Sequence, residues 1–170
     1  MPIQFGPLDD EDDRAAFSCG EPALDDWFRN RAGQDQRRRV AQVFVARDDK
    51  LGIVGFYSLS AFSIVTHDLP EEIARKLPRY GVIPAVLIGR FARDVRVRGK
   101  GVGELLVADA FERILDTSRQ VAIYAIIVDA KDEKASAFYQ TFGFQPLPLH
   151  PLRLFLPLAT AHNAQVDASR

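Results

Sequence analysis

The sequence predicts a single α/β domain with a mixed, mostly antiparallel sheet and one strand–loop–helix unit at its centre. Three observations carry that prediction. Two apolar strand-like runs, Val40–Arg47 and Ile53–Ile64, are joined by the short turn "DDKLG". Later runs of strand character alternate with helix-type periodicity. Between the halves, the glycine-and-cation turn "RVRGKGVG" (Arg96–Gly103) leads from an apolar run straight into an apolar-striped helix.

Taken in order, Asp9–Ala16 reads as a short acidic helix. "CGEPALDDWFRNRAGQDQRRR" reads as a helical stretch, with Pro22 in its first turn and Leu24, Trp27 and Phe28 as its buried stripe. The strand pair follows, and then a short helix in "HDLPEEIARKLP", with Asp68 near its cap and Pro78 ending it. Val86–Val95 is a strand that enters the glycine turn. Val102, Leu106, Ala110 and Ile114 recur every fourth residue beside the row Val107, Phe111 and Leu115, which defines a buried helix face. Val121–Val128 ("VAIYAIIV") is nearly all apolar, as suits a central strand covered on both faces. Asp132–Phe142 is a further helix stopped by Gly143, and Leu152–Leu158 is a closing strand. The domain spans residues 1–160, and the tail 161–170 is expected to be disordered.

The 170 residues, 47% hydrophobic and 26% charged, suit one globular core. A net charge of −1 creates no global field for nucleic acid, so any polyanion site must be a local patch. Cys19, the single cysteine, excludes an internal disulfide, and His67, His150 and His162 lack ligand spacing, so no metal is expected. The sequence shows neither a signal peptide nor a run approaching the roughly 20 apolar residues of a membrane helix. The expected location is the cytoplasm.

Amides at a helix start lack intrahelical partners, and glycines let that backbone approach an anion closely. Arg96, Arg98 and Lys100 add charge to such a site. A Walker A loop would need Lys where Val102 follows Gly101, and a dinucleotide fingerprint would need Gly where Glu104 stands. A plain turn joining strand to helix is the simpler alternative.

"RGKGVG" (Arg98–Gly103) fits the pattern [QR]-x-x-G-x-[GA] and resembles the pyrophosphate loop of the GNAT N-acetyltransferases. "DEKASAFYQTFGF" (Asp132–Phe144) is similar to that family's second signature at Ala135, Tyr139, Gly143 and Phe144, with Asp132 in place of the usual Asn. The resemblance implies acetyl-CoA as co-substrate, with its pyrophosphate on Arg98, Gly99, Lys100, Gly101, Val102 and Gly103. It implies that Phe91, Ala92 and Arg93 line the pantetheine arm, that Asp132 contributes to the cofactor side, and that Tyr139 is the catalytic acid. Tyr139 lies about two helical turns after Asp132 on the same face, which aims its hydroxyl toward the end of the "AIIV" strand. The alternative is a tyrosine that only packs.

The segments Phe17–Phe28, Gly55–Leu59 and Gly89–Ala92, with the basic Arg37–Arg39 between them, also resemble the GNAT toxins of bacterial toxin–antitoxin modules. Arg93 departs from that group, which usually has a small apolar residue there. This resemblance implies acetylation of the α-amine of aminoacyl-tRNA and a block of translation. Arg37, Arg38, Arg39 and Arg90 would hold the tRNA through phosphate contacts, within a wider cluster that includes Arg29 and Arg31. A ribbon-helix-helix antitoxin and a homodimer are implied as partners. No carboxylate stands out as a base, with Asp94 and Asp129 the candidates. The competing readings are a GNAT that acetylates a small amine, a polyamine or a protein N-terminus, and a non-catalytic acetyl-CoA-binding module.

Overall fold

The computed structural model describes residues 2–161. Apart from Ala161 itself, which is buried, the expected tail lies outside the described residues. In chain order the elements are β1 (Ile3–Pro7), α1 (Pro22–Asn30), α2 (Ala32–Arg37), β2 (Gln42–Asp48), β3 (Gly52–Val65) and α3 (Glu71–Ala74). They continue with β4 (Val82–Arg93), α4 (Val102–Thr117), β5 (Ala125–Asp129), α5 (Glu133–Gln140), β6 (Gln145–Leu147) and β7 (His150–Pro157). The strands form one sheet in the order β1-β2-β3-β4-β5-β7-β6. Strands β4 and β5 pair in parallel and are joined through α4. The neighbouring pairs β1–β2, β2–β3, β5–β7 and β6–β7 are antiparallel, as expected of the mixed sheet.

One compact unit comprises Met1–Ser60 and Gly89–Ala110. Its core is aromatic: Phe28 stacks on Phe56 with ring centroids 4.2 Å apart, and Phe17 meets both rings edge-on. Trp27 and Phe28 are buried and Leu24 packs beside them, so the apolar stripe of the basic segment faces inward. That segment is two helices rather than one, breaking at Arg31. Helix α4 lies close on β3, where a Cβ at Gly55 would come within 2.9 Å of Leu106 Cδ1. Glycine at position 55 is what permits that approach.

The other unit comprises Ala61–Ile88 and the described residues from Phe111 onward. Ala125–Val128 of β5 are fully buried, which explains their continuous apolar sequence. Ala125, Ile127, Leu147 and Phe155 share a core with Ile64 and Leu69. Asp132 caps α5 by accepting from Ala135 N at 2.8 Å, and Gly143 follows the helix in the left-handed region at φ 98°.

The expected strand Val121–Val128 begins only at Ala125, with Val121 62% exposed before it. Asp9–Ala16 forms turns, not a helix. Its carboxylates capture the local amides: Asp9 Oδ1 accepts from Glu11 N at 2.9 Å and Asp13 Oδ1 from Ala15 N at 3.0 Å. Aspartates in such runs compete with the helical ladder for backbone donors. The edge strand β1 and the short β6 were not anticipated, because neither "IQFGP" nor "QPL" is long enough to show a period.

Candidate functional site

The glycine turn is built from β4 outward. The parallel register with β5 runs only from Ala85 to Ile88, so the main chain of Gly89–Arg93 continues past the last paired residue. That stretch holds Phe91, Ala92 and Arg93; Ala92 is buried, whereas Phe91 and Arg93 are half-exposed, as strand alternation requires. Asp94 then caps a 3₁₀ turn at Val95–Val97.

Lys100 N donates to Val97 O at 3.1 Å, and Gly99 and Gly101 take φ of 76° and 80°. Those angles suit glycine and strain any side chain. The bond from Leu105 N to Gly101 O at 3.1 Å opens the ladder at the start of α4, and the amides of Gly101, Val102, Gly103 and Glu104 lie ahead of it. No heavy atom lies within 4 Å of a Cβ built on Gly99. Arg98 and Lys100 are exposed beside these donors. The result is a positive, amide-lined helix start suited to a phosphate-type anion.

Arg96 does not belong to that set. Its guanidinium is committed to Asp94, with Nη2 at 2.8 Å from Oδ2 and Nε at 2.9 Å from Oδ1. The same contacts remove Asp94 as a candidate base. Burial alone would raise its pKa, but the hydrogen bonds from Arg96 and the backbone amides of Arg96 and Ser18 outweigh it and hold the carboxyl below the usual carboxylate range.

The basic face follows from the α1–α2 fold. Arg31, Arg37, Arg38 and Arg39 are exposed along it. Arg29 is engaged inward, its guanidinium donating to Phe17 O. Arg37 makes an exposed contact of 3.4 Å with Asp10, a pairing of little energetic weight in water. Arg39 sits at φ 62°, the one non-glycine residue in that region among those described. Val40 N donates to Asp35 O and Arg39 N to Gln36 O, so Arg39 fills the position of a Schellman helix end that glycine normally takes. Arg90 is exposed on β4, and its guanidinium carbon lies 4.6 Å from the Trp27 ring centroid.

Tyr139 is on α5, 7% exposed, with Phe138 and Phe144 meeting its ring edge-on. Burial, and secondly the charge of Asp129, push its phenol well above the ordinary tyrosine value. Asp129 ends β5, so Tyr139 senses the strand end toward which helix geometry aims it. Asp129 is itself held by Arg153 in two hydrogen bonds, of 2.7 and 3.0 Å. The Asp132 carboxylate is occupied as the α5 cap.

Sequence reasoning missed two polar contacts near these elements. The hydroxyl of the buried Tyr57 donates to Asp109 Oδ2 at 2.6 Å, tying β3 to α4. Ser58 Oγ accepts from Arg90 N at 2.9 Å, which fixes the backbone that carries Arg90. "GFYSLS" carried a family likeness but no sign of either partner. Among the described residues no cluster of three or more His, Cys, Asp or Glu could hold a metal, and no helix is long and apolar enough to cross a membrane.

Comparison with known proteins accords with this geometry. The family model described as an acetyltransferase (GNAT) domain matches residues 39–146. A probable toxin TacT of Sinorhizobium fredii is 40% identical, with 92% of each chain covered. A tRNA-acetylating toxin of Mycobacterium tuberculosis is 36% identical, with 91% of each covered. Among solved structures, AtaT complexed with acetyl-methionyl-tRNAfMet matches with a TM-score of 0.88 at 28% identity, covering 95% of this chain and 98% of that one. A Tyr-to-Phe mutant of the AtaT toxin bound to the C-terminus of the antitoxin AtaR and acetyl-CoA matches with a TM-score of 0.79 at 26% identity, covering 95% and 96%. With a family model matched over most of its length, and an open amide-lined turn at the helix start where that family's loop is expected, the chain belongs to the GNAT acetyltransferase family.

Proposed function

We propose that this protein is a toxin that transfers the acetyl group of acetyl-CoA to the α-amine of an aminoacyl-tRNA and so blocks translation. The observation that carries the choice of acceptor is the exposed arginine face of Arg31, Arg37, Arg38 and Arg39 on the α1–α2 segment, with the Arg90 guanidinium over the Trp27 ring. Such a face suits a phosphate backbone and has no use in binding a small amine. The likeness over nearly the whole chain to tRNA-acetylating relatives supports the same acceptor.

Acetyl-CoA supplies the acetyl thioester. The amides of Gly101–Glu104, with Arg98 and Lys100, hold its pyrophosphate, and the main chain at Phe91, Ala92 and Arg93 lines the pantetheine arm. The uncharged α-amine attacks the thioester carbonyl carbon; a C–N bond forms, the C–S bond breaks, and the sulfur leaves with the electron pair. Tyr139, neutral at physiological pH, gives its proton to that sulfur, and the proton shed by the amine is carried by water back to the phenolate, restoring Tyr139. An α-amine has a pKa of about 7.7–8.0, so a useful fraction is already uncharged without a dedicated base. That fits a chain in which Asp94 and Asp129 are both bound by arginines. A ribbon-helix-helix antitoxin and a homodimer complete the assignment.

The test is incubation with labelled acetyl-CoA and total charged tRNA, followed by analysis of the released amino acids. N-acetyl-aminoacyl-tRNA is the expected product. Label appearing only on small amines, polyamines or protein N-termini would reject the tRNA acceptor while leaving the enzyme class intact.

A further inference from the structure

We propose that Asp94 is a positioning residue for cofactor binding: its buried carboxylate clamps the end of β4 to the turn at Ser18 and holds the Arg98–Gly103 loop in binding geometry before acetyl-CoA arrives. This rests on the reading of that loop as the pyrophosphate site.

Asp94 is 1% exposed, yet donors meet both of its oxygens. Oδ1 accepts from Arg96 N at 2.8 Å and Arg96 Nε at 2.9 Å. Oδ2 accepts from Arg96 Nη2 at 2.8 Å and Ser18 N at 3.2 Å. The main chain repeats the connection: Val95 N donates to Ser18 O at 2.8 Å, and Asp94 N to Val54 O at 2.8 Å. Arg96 Nη1 also reaches Leu51 O at 3.3 Å, on the turn that precedes β3.

One carboxylate therefore joins the end of β4, the approach to α1 and the β2–β3 turn. A second carboxylate seats the same turn from the other side, since Asp25 accepts from Cys19 N at 2.8 Å and from Ser18 Oγ at 3.2 Å. The loop is built directly on this base. Val97 N donates to Asp94 O at 3.2 Å, and Val97 O in turn accepts from Lys100 N at 3.1 Å, just before the left-handed Gly101.

A loop with left-handed residues at Gly99 and Gly101 and amides facing outward has many other conformations available. Ordering it only on binding would subtract from cofactor affinity. The buried charge-assisted network supplies that order in advance. Asparagine at position 94 has nearly the same shape, but it offers one acceptor oxygen where four donors converge, and it carries no charge to match Arg96.

The experiment uses the full chain and four variants, Asp94→Asn, Arg96→Gln, Arg96→Lys and Gly101→Val, each first checked for cooperative melting. Calorimetry with acetyl-CoA and steady-state kinetics in both substrates are the readouts. Asp94→Asn and Arg96→Gln should each raise the acetyl-CoA Kd and KM about tenfold. Turnover at saturating acetyl-CoA, and KM for charged tRNA, should stay within about twofold of the parent. Arg96→Lys should recover part of the affinity, because it restores the charge but not the paired hydrogen bonds.

Should Asp94→Asn fail to fold, Arg96→Gln decides alone, since that side chain is one-third exposed. Folded variants with parental acetyl-CoA affinity, while Gly101→Val binds weakly, would overturn the positioning role and leave the loop assignment standing. Unchanged affinity in Gly101→Val as well would overturn the loop assignment and this inference with it. A fall in turnover that tracks lost stability, with neither KM raised, would make Asp94 merely structural and reject the proposal.

Discussion

The guanidinium carbon of Arg90 lies 4.6 Å from the centroid of the Trp27 ring, and the Trp27 indole is anchored by donating from Nε1 to Asp35 Oδ2 at 2.9 Å. A flexible, exposed arginine is thereby given a preferred orientation by a buried ring. Lysine would keep the charge but lose the delocalised guanidinium that lies over the ring. In Arg90→Lys, KM for charged tRNA should rise about two- to fivefold, consistent with a contribution from that contact of roughly 0.5–1 kcal/mol. Acetyl-CoA affinity by calorimetry should match the parent, and an unaltered KM for tRNA would remove Arg90 from the acceptor site.

Gly101 combines a φ of 80° with a place immediately before the α4 ladder. Valine there meets backbone strain and puts branched carbons where a pyrophosphate would approach the amides. Gly101→Val should weaken acetyl-CoA binding by at least about tenfold, or 1.4 kcal/mol. Parental affinity in a folded variant would place the pyrophosphate elsewhere.

Tyr139→Phe removes one oxygen from a ring packed against Phe138 and Phe144. Fold and cofactor affinity should survive, while single-turnover acetyl transfer falls by about two orders of magnitude, the usual cost of losing a general acid. A rate equal to the parent's would leave Tyr139 as a packing residue.

Arg39 at φ 62° carries a conformational cost that glycine would not. Arg39→Gly should therefore raise the stability to denaturant by about 1 kcal/mol and at the same time weaken tRNA. Neutralising Arg37, Arg38 and Arg39 together should flatten the fall of tRNA affinity with salt, because fewer condensed counterions are released. A variant less stable than the parent would refute the strain argument; an unchanged salt slope would take these three arginines out of the tRNA footprint.

The pH dependence of stability has two limbs of opposite sign. Burial would raise the carboxyls of Asp94 and Asp12, but hydrogen bonds from Arg96 and Arg47 with nearby amides win, and both titrate below their ordinary value. A depressed folded pKa contributes stability that is complete above the unfolded value of about 3.9 and is lost as pH falls through the folded one. Tyr139 is raised by burial and by Asp129, so its contribution is complete below about 10 and declines as pH climbs beyond that. Denaturant unfolding across pH should show a plateau between two falling limbs. Asp94→Asn should soften the acid limb and Tyr139→Phe the alkaline one.

Short-range patterns carried the fold class, the glycine loop and the Tyr139 helix. The i,i+4 apolar rows of α4, the unbroken run of β5 and the cap at Asp132 each depend on neighbours within a few residues, and their physics is local enough to be read from the chain. The acidic run at Asp9–Ala16 misled because helix propensity and side-chain capture of amides compete there, and only the folded chain shows which prevails. Which charges are available for binding was beyond the sequence altogether. Arg96 and Arg98 stand two residues apart, yet one is consumed by a buried carboxylate and the other is exposed. The donor from Ser18 that helps hold Asp94 comes from 76 positions away. Pairings at that separation arise from packing and desolvation of whole elements, which no local pattern encodes.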